Sequence, residues 1–272
     1  MSVRRVRFET ELASDESIPG ALVRAVTAHV LYRTQPVLQA AGINITRPGH
    51  VQILERAELG HLAHVIRYAP DRLNAIRGQR VMTREEGITH QRVHFGNVHM
   101  LRSHMDLERR RISPLSLQLS NHHRLPWLNS LLPYCPVSFE RLVHECPACE
   151  KPLGWRMTWG VGICEHCEQA IPPSPEPLLP KHMREDYCLF ARLSSAVPDE
   201  WSAARKALPS ALHEVGSATL IRMALRIGFL MQNPMIANVR MHAAPELPVD
   251  VLTNVVTDGA RMLRSWPTGF VE

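Results

Sequence analysis

Four cysteines at a fixed spacing constrain this chain more than any other feature. They form the pairs Cys146-Pro-Ala-Cys149 and Cys164-Glu-His-Cys167, with 14 residues between the pairs. Each C-x-x-C pair can fold back so that both sulfurs reach one ion, and two pairs complete a tetrahedral site. Disulfide bonds are the alternative, but they form in oxidising compartments. The spacing therefore predicts one zinc ion bound by all four cysteines.

The segment between the two pairs has the pattern of a short hairpin. Its large apolar residues alternate, as in a half-exposed strand: Leu153, Trp155, Met157 and Trp159. Gly160 and Gly162 can turn the chain back. The pattern predicts a small zinc ribbon. Because four thiolates fill the tetrahedral shell, we expect a structural zinc ion.

The remaining histidine and cysteines of this region are given other roles. His166, inside the second pair, is a weaker alternative ligand. Cys135 and Cys188 have no C-x-x-C partner and are expected to be buried.

Helical periodicity is found on both sides of the cysteine segment. On the N-terminal side, helices are predicted from the N-cap Ser17 to Tyr32 and at 36–42, 51–69 and 73–76. The stretch 91–98 alternates like extended chain. On the C-terminal side, helices are predicted at 186–193, 199–207, 218–231 and 249–264.

The segment 171–180 contains five prolines and predicts a semi-rigid linker. Together these patterns predict a mainly α-helical protein with a small zinc ribbon. Its expected parts are an N-terminal helix-turn-helix-like module at 1–125, the ribbon at 126–170, the linker at 171–182 and a C-terminal helical module at 183–272.

The net charge of +5 is concentrated in residues 76–124, which contain nine arginines and four acidic residues. Such a segment predicts a surface for nucleic-acid phosphates or for an acidic partner. The candidate contacts are Arg92, Arg102, Arg109, Arg110, Arg111 and Arg124. Two alternatives stay open: a solvated face, or codon usage, since 28 of the 31 basic side chains are arginine.

Enzyme motifs are missing from the sequence: it has no phosphate-binding loop, dinucleotide fingerprint, nucleophile elbow or H-E-x-x-H helix. The histidines at 90, 94, 99 and 104 do not share a helical face, so a second metal site is the weaker interpretation. The N-terminus turns acidic where a signal peptide needs apolar residues, and no apolar stretch is long enough for a membrane span. We therefore expect a cytoplasmic protein without a membrane partner.

Several motifs in one order resemble the TniQ family of transposition proteins. The opening 15–26, AspGluSerIleProGlyAlaLeuValArgAlaVal, is similar to the start of these proteins. ArgArgArgIleSerPro at 109–114 and HisHisArgLeuProTrp at 122–127 follow. The cysteine stretch 134–155 and the ending 258–267, which runs into Trp-Pro, complete the resemblance across nearly the full chain.

The resemblance implies a non-catalytic adaptor for target-site selection in transposition. Such proteins link target DNA, or an RNA-guided CRISPR effector complex, to an AAA+ ATPase of the TnsC or TniB type, in some cases as dimers. It also implies helix-turn-helix regions flanking the zinc segment. Many family members have a further finger closing with C-P-x-H, whereas this chain has Cys135-Pro-Val-Ser138. The first zinc site is therefore expected to be lost.

Two other function classes compete with the adaptor. A stand-alone zinc-containing transcription regulator would bind duplex DNA with a steep salt dependence and would need no ATPase. An enzyme built on the histidine-rich region would need a carboxylate to complete its site, and the sequence offers no such arrangement.

Overall fold

The computed structural model describes residues 5–85, 88–232 and 241–268. Its contacts group into two compact units whose segments alternate along the chain. The first unit comprises the chain up to Gln79, Asp106–Leu128 and Glu140–Pro177. The second comprises Arg80–Met105, Asn129–Phe139 and the chain from Leu178 onward. The module boundaries given above stay a prediction.

The first unit contains five α-helices within the described residues. They are α1 (Ile18–Ala28), α2 (Gln35–Ala40), α3 (Arg56–Ile66), α4 (Pro70–Ala75) and α5 (Pro114–Leu119). Ser17 caps α1 as predicted, since its side chain accepts a hydrogen bond from the Gly20 N–H. Leu22, Leu59 and Leu62 are fully or almost fully buried in its core.

The second unit combines helices with a small antiparallel sheet. Its helices are α6 (Arg184–Leu193), α7 (Pro198–Lys206), α8 (Ser217–Gln232) and α9 (Val249–Arg264). Its strands are β1 (Gln79–Glu85, of which Gln79 belongs to the first unit), β2 (Ile88–Phe95) and β3 (Val98–Leu101), in the order β1-β2-β3. β2 pairs with β3 so that His94 lies opposite His99.

The mainly helical prediction is confirmed, with differences at several boundaries. α1 ends at Ala28, four residues before Tyr32, because Val30 takes a positive φ of 54°. The helix predicted over 51–69 is divided into a 3-10 turn, Pro48–Ile53, and α3. Glu55 separates them, since its side chain and that of Glu58 form a capping box at the start of α3. No helix in the described ranges is long and apolar enough to cross a membrane.

Candidate metal centre

The two cysteine pairs adopt the same backbone turn. In the first, the Glu150 N–H donates to the Cys146 carbonyl at 2.8 Å; in the second, the Glu168 N–H donates to the Cys164 carbonyl at 3.2 Å. Glu150 and Glu168 have φ values of 56° and 62°. This left-handed conformation reverses the chain directly after each pair, so the same local geometry serves both halves of the site.

The four cysteine sulfurs lie within 4.8 Å of one another. The Sγ atoms of Cys146 and Cys167 are 3.6 Å apart, and those of Cys149 and Cys164 are 3.7 Å apart. A tetrahedral zinc site with metal–sulfur bonds of about 2.3 Å has sulfur–sulfur edges of about 3.8 Å. All four side chains are free thiols. We call this group the metal centre, because it could hold one metal ion.

The electrostatics of the metal centre favour a bound cation. Burial raises the pKa of Cys146, but the backbone N–H groups of Ala148 and Cys149 outweigh it and lower that pKa to about 7. The pKa of Cys167 rises to about 12, because the lowering by the Gln169 N–H is outweighed by burial and by the neighbouring thiols. Like charges this close repel each other. A cation is therefore needed for all four sulfurs to ionise together.

The segment between the cysteine pairs is built into the first unit. The Thr34 Oγ1 donates to the Trp155 carbonyl at 2.9 Å, and the Arg33 and Met157 backbones form an antiparallel bridge. Trp155 is buried, with its ring centroid 4.8 Å from that of His123 in an edge-on arrangement. Isolated bridges, rather than a regular two-stranded hairpin, therefore hold this segment.

Two motifs that carry the family resemblance contact each other beside this segment. Asp15 accepts hydrogen bonds from His122, at 2.7 Å, and from Arg124. Burial raises the pKa of Asp15, but these two partners outweigh it and leave that pKa below its ordinary value. The Ser17 hydroxyl and the His123 Nδ1 are 2.8 Å apart. The opening motif and the His-His-Arg motif thus form one buried polar cluster.

His123 is the most perturbed histidine of this cluster. It is fully buried and contacts Trp127 and Trp155 edge-on, at centroid distances of 5.1 Å and 4.8 Å. Burial lowers its pKa to about 3, and the positive charge of Arg110 acts in the same direction. The ring is therefore neutral at physiological pH and serves as part of the core.

Of the three consecutive arginines at 109–111, two are buried. Arg110 is fully buried and Arg111 is 9% exposed. The Arg111 side chain donates to the Trp127 carbonyl at 3.4 Å. Arg109 is half exposed and pairs with Asp106 at 2.8 Å. Arg110 and Arg111 are thus buried side chains in this structure, and their predicted contact with nucleic acid is not tested by it.

The remaining candidate arginines are partly engaged within their own units. Arg124 pairs with Asp15 in the first unit. In the second unit, the Arg92 Nε donates to the Thr83 hydroxyl at 3.1 Å, and Arg102 donates to the Met105 carbonyl at 2.9 Å. The structure therefore divides the six predicted contacts between the two units, and nucleic-acid binding by them stays a prediction.

The other histidines do not assemble a second centre. The rings of His94 and His99 stack with centroids 3.8 Å apart, while His104 is buried. Burial lowers the pKa of both stacked histidines. Within 5–85, 88–232 and 241–268, the metal centre is the one group of three or more histidine, cysteine, aspartate or glutamate side chains close enough to share an ion.

A third turn of the same kind occurs at Cys135 in the second unit. The Phe139 N–H donates to the Cys135 carbonyl at 2.9 Å, and Phe139 has a φ of 60°. Ser138 occupies the position that a second ligand has in the metal centre. Cys135 is buried, as expected, and Cys188 is partly buried, with its thiol 3.6 Å from the Pro136 carbonyl. The backbone turn of a C-x-x-C pair is thus present at Cys135, although Ser138 stands where the second cysteine would be.

An exposed apolar group lies at the end of α1, next to the segment between the cysteine pairs. It consists of Val30, Leu31, Tyr32 and Met157, and we call it the Tyr32 patch. Tyr32 is 47% exposed and its ring centroid is 4.3 Å from that of Trp159. Exposed Arg33 and Arg156 adjoin the patch. The sequence pattern missed it because it is formed by two segments far apart in the chain.

Comparisons with known proteins do not assign the chain to a family. No family model matches the sequence, and no curated protein gives a significant match.

Proposed function

We propose that the chain is a non-catalytic adaptor for transposition target selection, stabilised by one structural zinc ion. The supporting observation is that three parts of the family resemblance, the opening motif, the His-His-Arg motif and Trp155 of the cysteine stretch, contact one another within the first unit. Asp15 and Ser17 of the opening motif contact His122 and His123, and Trp155 of the cysteine stretch contacts His123. Residues far apart in the chain thus meet in one place, which favours a common role for them.

The proposal assigns zinc to the metal centre. Thiolate ligands in a tetrahedral arrangement suit zinc, and four of them leave no open position for catalysis. Cys146, Cys149, Cys164 and Cys167 would hold the ion as a small zinc ribbon. Elemental analysis of the purified protein should find about one zinc per chain, and Cys149→Ser should abolish it. A folded protein without zinc would contradict this assignment.

The proposed partners are those the family resemblance implies. The chain would link target DNA, or a CRISPR effector complex with its guide RNA, to an AAA+ ATPase of the TnsC or TniB type, and could do so as a homodimer. The helices on either side of the metal centre would act as helix-turn-helix-like modules. The first test is retention of the candidate ATPase by the immobilised, zinc-loaded chain.

We place the ATPase contact at the Tyr32 patch. Its residue types, Tyr and Met beside Arg, are enriched at the centres of protein interfaces. Arg33 and Arg156 are exposed, and no acidic residue occurs within 30–33 or 156–159. The patch therefore suits a partner surface with an apolar centre and acidic surroundings.

Paired substitutions test this location. Tyr32→Ser combined with Met157→Ser should weaken retention of the ATPase at least 10-fold, because truncating an aromatic anchor costs about 2 kcal/mol. Leu119→Ser is the matched control, since Leu119 is 72% exposed and lies on α5 outside the patch. Equal retention by the double variant and the control would refute the location. Loss of DNA binding with unchanged ATPase retention would assign the patch to nucleic acid instead.

A further inference from the structure

Arg110 is a fully buried arginine held by the segment between the two cysteine pairs. Its Nη1 donates to the Gly160 carbonyl at 3.2 Å, and its Nη2 donates to the Ile163 carbonyl at 2.6 Å. Its Nε is buried without a hydrogen-bond partner among the described residues. Two neutral carbonyls do not offset the cost of burying a guanidinium ion. A negative group nearby has to do so.

The acidic groups that act on Arg110 are Cys164 and Glu165, which lie in the second C-x-x-C motif. Burial lowers the pKa of Arg110 to about 10, while the Glu165 carboxylate and the Cys164 thiol oppose that decrease. Ile163, which accepts one of its hydrogen bonds, directly precedes Cys164. Glu165 is 11% exposed, and its Oε2 is buried without a hydrogen-bond partner. The guanidinium therefore lies next to the ligand-bearing backbone.

A loaded metal centre would carry a large negative charge. Four thiolates around a divalent ion leave a net charge of −2, and the Glu165 carboxylate adds to it. The negative charge of the loaded centre would stabilise the buried Arg110 guanidinium, and the guanidinium would stabilise the loaded centre. The metal-free centre offers Arg110 less negative charge, so the arginine favours the loaded state.

We propose that Arg110 is the countercharge of the metal centre, a positioning residue that strengthens metal retention and lowers thiolate reactivity. This inference rests on the proposed zinc binding. Groups outside the ligand shell commonly change metal affinity by about 10–100-fold. The rival explanations are that Arg110 only fills space, or that it serves only as a partner for Glu165.

Four single variants of the zinc-loaded chain, together with the double variant Arg110→Met with Glu165→Gln, separate these explanations. Arg110→Met removes the charge and keeps much of the side-chain volume, while Arg110→Lys keeps the charge and loses the two-pronged hydrogen bonding. Glu165→Gln removes the neighbouring negative charge. Arg111→Met is the matched control, because Arg111 is also buried but donates to Trp127, outside the cysteine segment. Zinc affinity is measured by competition with a chromophoric chelator, and thiolate reactivity by the rate of zinc release with N-ethylmaleimide.

Arg110→Met should weaken zinc affinity by about 10–100-fold and accelerate zinc release. Arg110→Lys should recover most of both properties, Arg111→Met should change neither, and Glu165→Gln should strengthen zinc retention. Equal losses in the Met and Lys variants would show that Arg110 acts by shape alone. If Arg110→Met changes neither zinc affinity nor zinc release once Glu165 has been replaced by glutamine, Arg110 acts only as the partner of Glu165.

The experiment distinguishes failure of this proposal from failure of the proposed zinc binding. If Arg110→Met does not fold, Arg110→Lys should release zinc at close to the rate of the unsubstituted chain and Glu165→Gln more slowly, whereas rapid release from Arg110→Lys would refute the countercharge. A wild-type chain that is folded and contains no zinc would refute the metal assignment itself. Retained zinc with no effect of Arg110 substitution would refute only the countercharge.

Discussion

The first unit contains a cluster of buried polar groups and the four cysteines of the metal centre, whereas in the second unit α8 and α9 pack closely against each other at two glycines. In the first, Asp15, His123 and Arg110 are buried or largely buried, and each makes hydrogen bonds to specific partners. In the second, a Cβ atom at Gly228 would lie 1.9 Å from the Val255 carbonyl oxygen, and one at Gly259 would lie 1.9 Å from that of Ala224. The backbones of α8 and α9 are therefore in direct contact.

The two regions are thus held in a defined conformation by different interactions: hydrogen-bonded buried polar groups in one, and close backbone packing of two helices in the other. A polar core depends on every partner being present, because a lost partner leaves a buried group unsatisfied. A glycine-mediated helix contact depends on shape alone and tolerates changes of pH or metal. The first unit should therefore respond to its chemical environment and the second to changes of volume.

Metal removal should produce the largest contrast between the units. Zinc binding in small cysteine sites contributes on the order of 10 kcal/mol to folding, so chelation should unfold much of the first unit. Hydrogen exchange should show lost amide protection in α1 and in 140–177, with α8 and α9 still protected. Unchanged protection of the first unit, with metal loss verified by elemental analysis, would show that its core is self-sufficient.

Glycine substitution should affect the units in opposite directions. Gly259→Ala should destabilise the second unit by about 1–3 kcal/mol, because overpacking against the Ala224 backbone cannot be relieved by a side-chain rotation. Gly60→Ala is the matched control: Gly60 lies inside α3 with no atom near its absent Cβ. There the substitution should stabilise the protein by about 0.5–1 kcal/mol. Denaturant unfolding measures both, and the same sign for the two variants would contradict the packing described.

Acid should weaken the first unit through His123. Its pKa of about 3 in the folded state lies below the ordinary value of 6.5, so the unfolded chain binds a proton that the folded chain does not. Stability should decrease as pH falls below about 6.5, by up to about 1.4 kcal/mol per pH unit. His123→Gln should show a shallower slope in denaturant unfolding between pH 7 and pH 5. An identical slope would mean that other groups account for the acid sensitivity.

Loss of the α1 cap should have the smallest effect of the four. Ser17→Ala removes the hydrogen bond to the Gly20 N–H and should cost about 1 kcal/mol. Because burial and the charge of Arg110 set the pKa of His123, this variant should keep the pH slope of the unsubstituted chain, unlike His123→Gln. Ser210→Ala on an exposed 3-10 turn is the control and should leave stability within about 0.5 kcal/mol.

Local patterns predicted the parts of the fold that depend on neighbouring residues. The predicted helix 249–264 coincides with α9, because its apolar spacing and its flanking prolines are local features. The four cysteines of the metal centre come together as the pair spacing predicted. The start of α1 follows from Ser17.

Contacts between distant segments could not be predicted. The burial of Arg110 depends on carbonyls 50 and 53 residues away, and charged runs are ordinarily solvated. β1 was missed because Gln79–Glu85 is too polar to show a buried face. The Tyr32 patch arises from a bridge between Arg33 and Met157. For Arg110 and for the Tyr32 patch, the deciding partner lies far away in the sequence.

The alternation of the two units along the chain sets the order in which protein synthesis can complete them. The stretch Glu140–Pro177 completes the first unit, so its N-terminal helices emerge from the ribosome well before the segment that packs on them. The four-cysteine metal centre is complete only after Cys167 is made, when part of the second unit is already present. Co-translational folding of this chain would therefore leave both units incomplete at the same time.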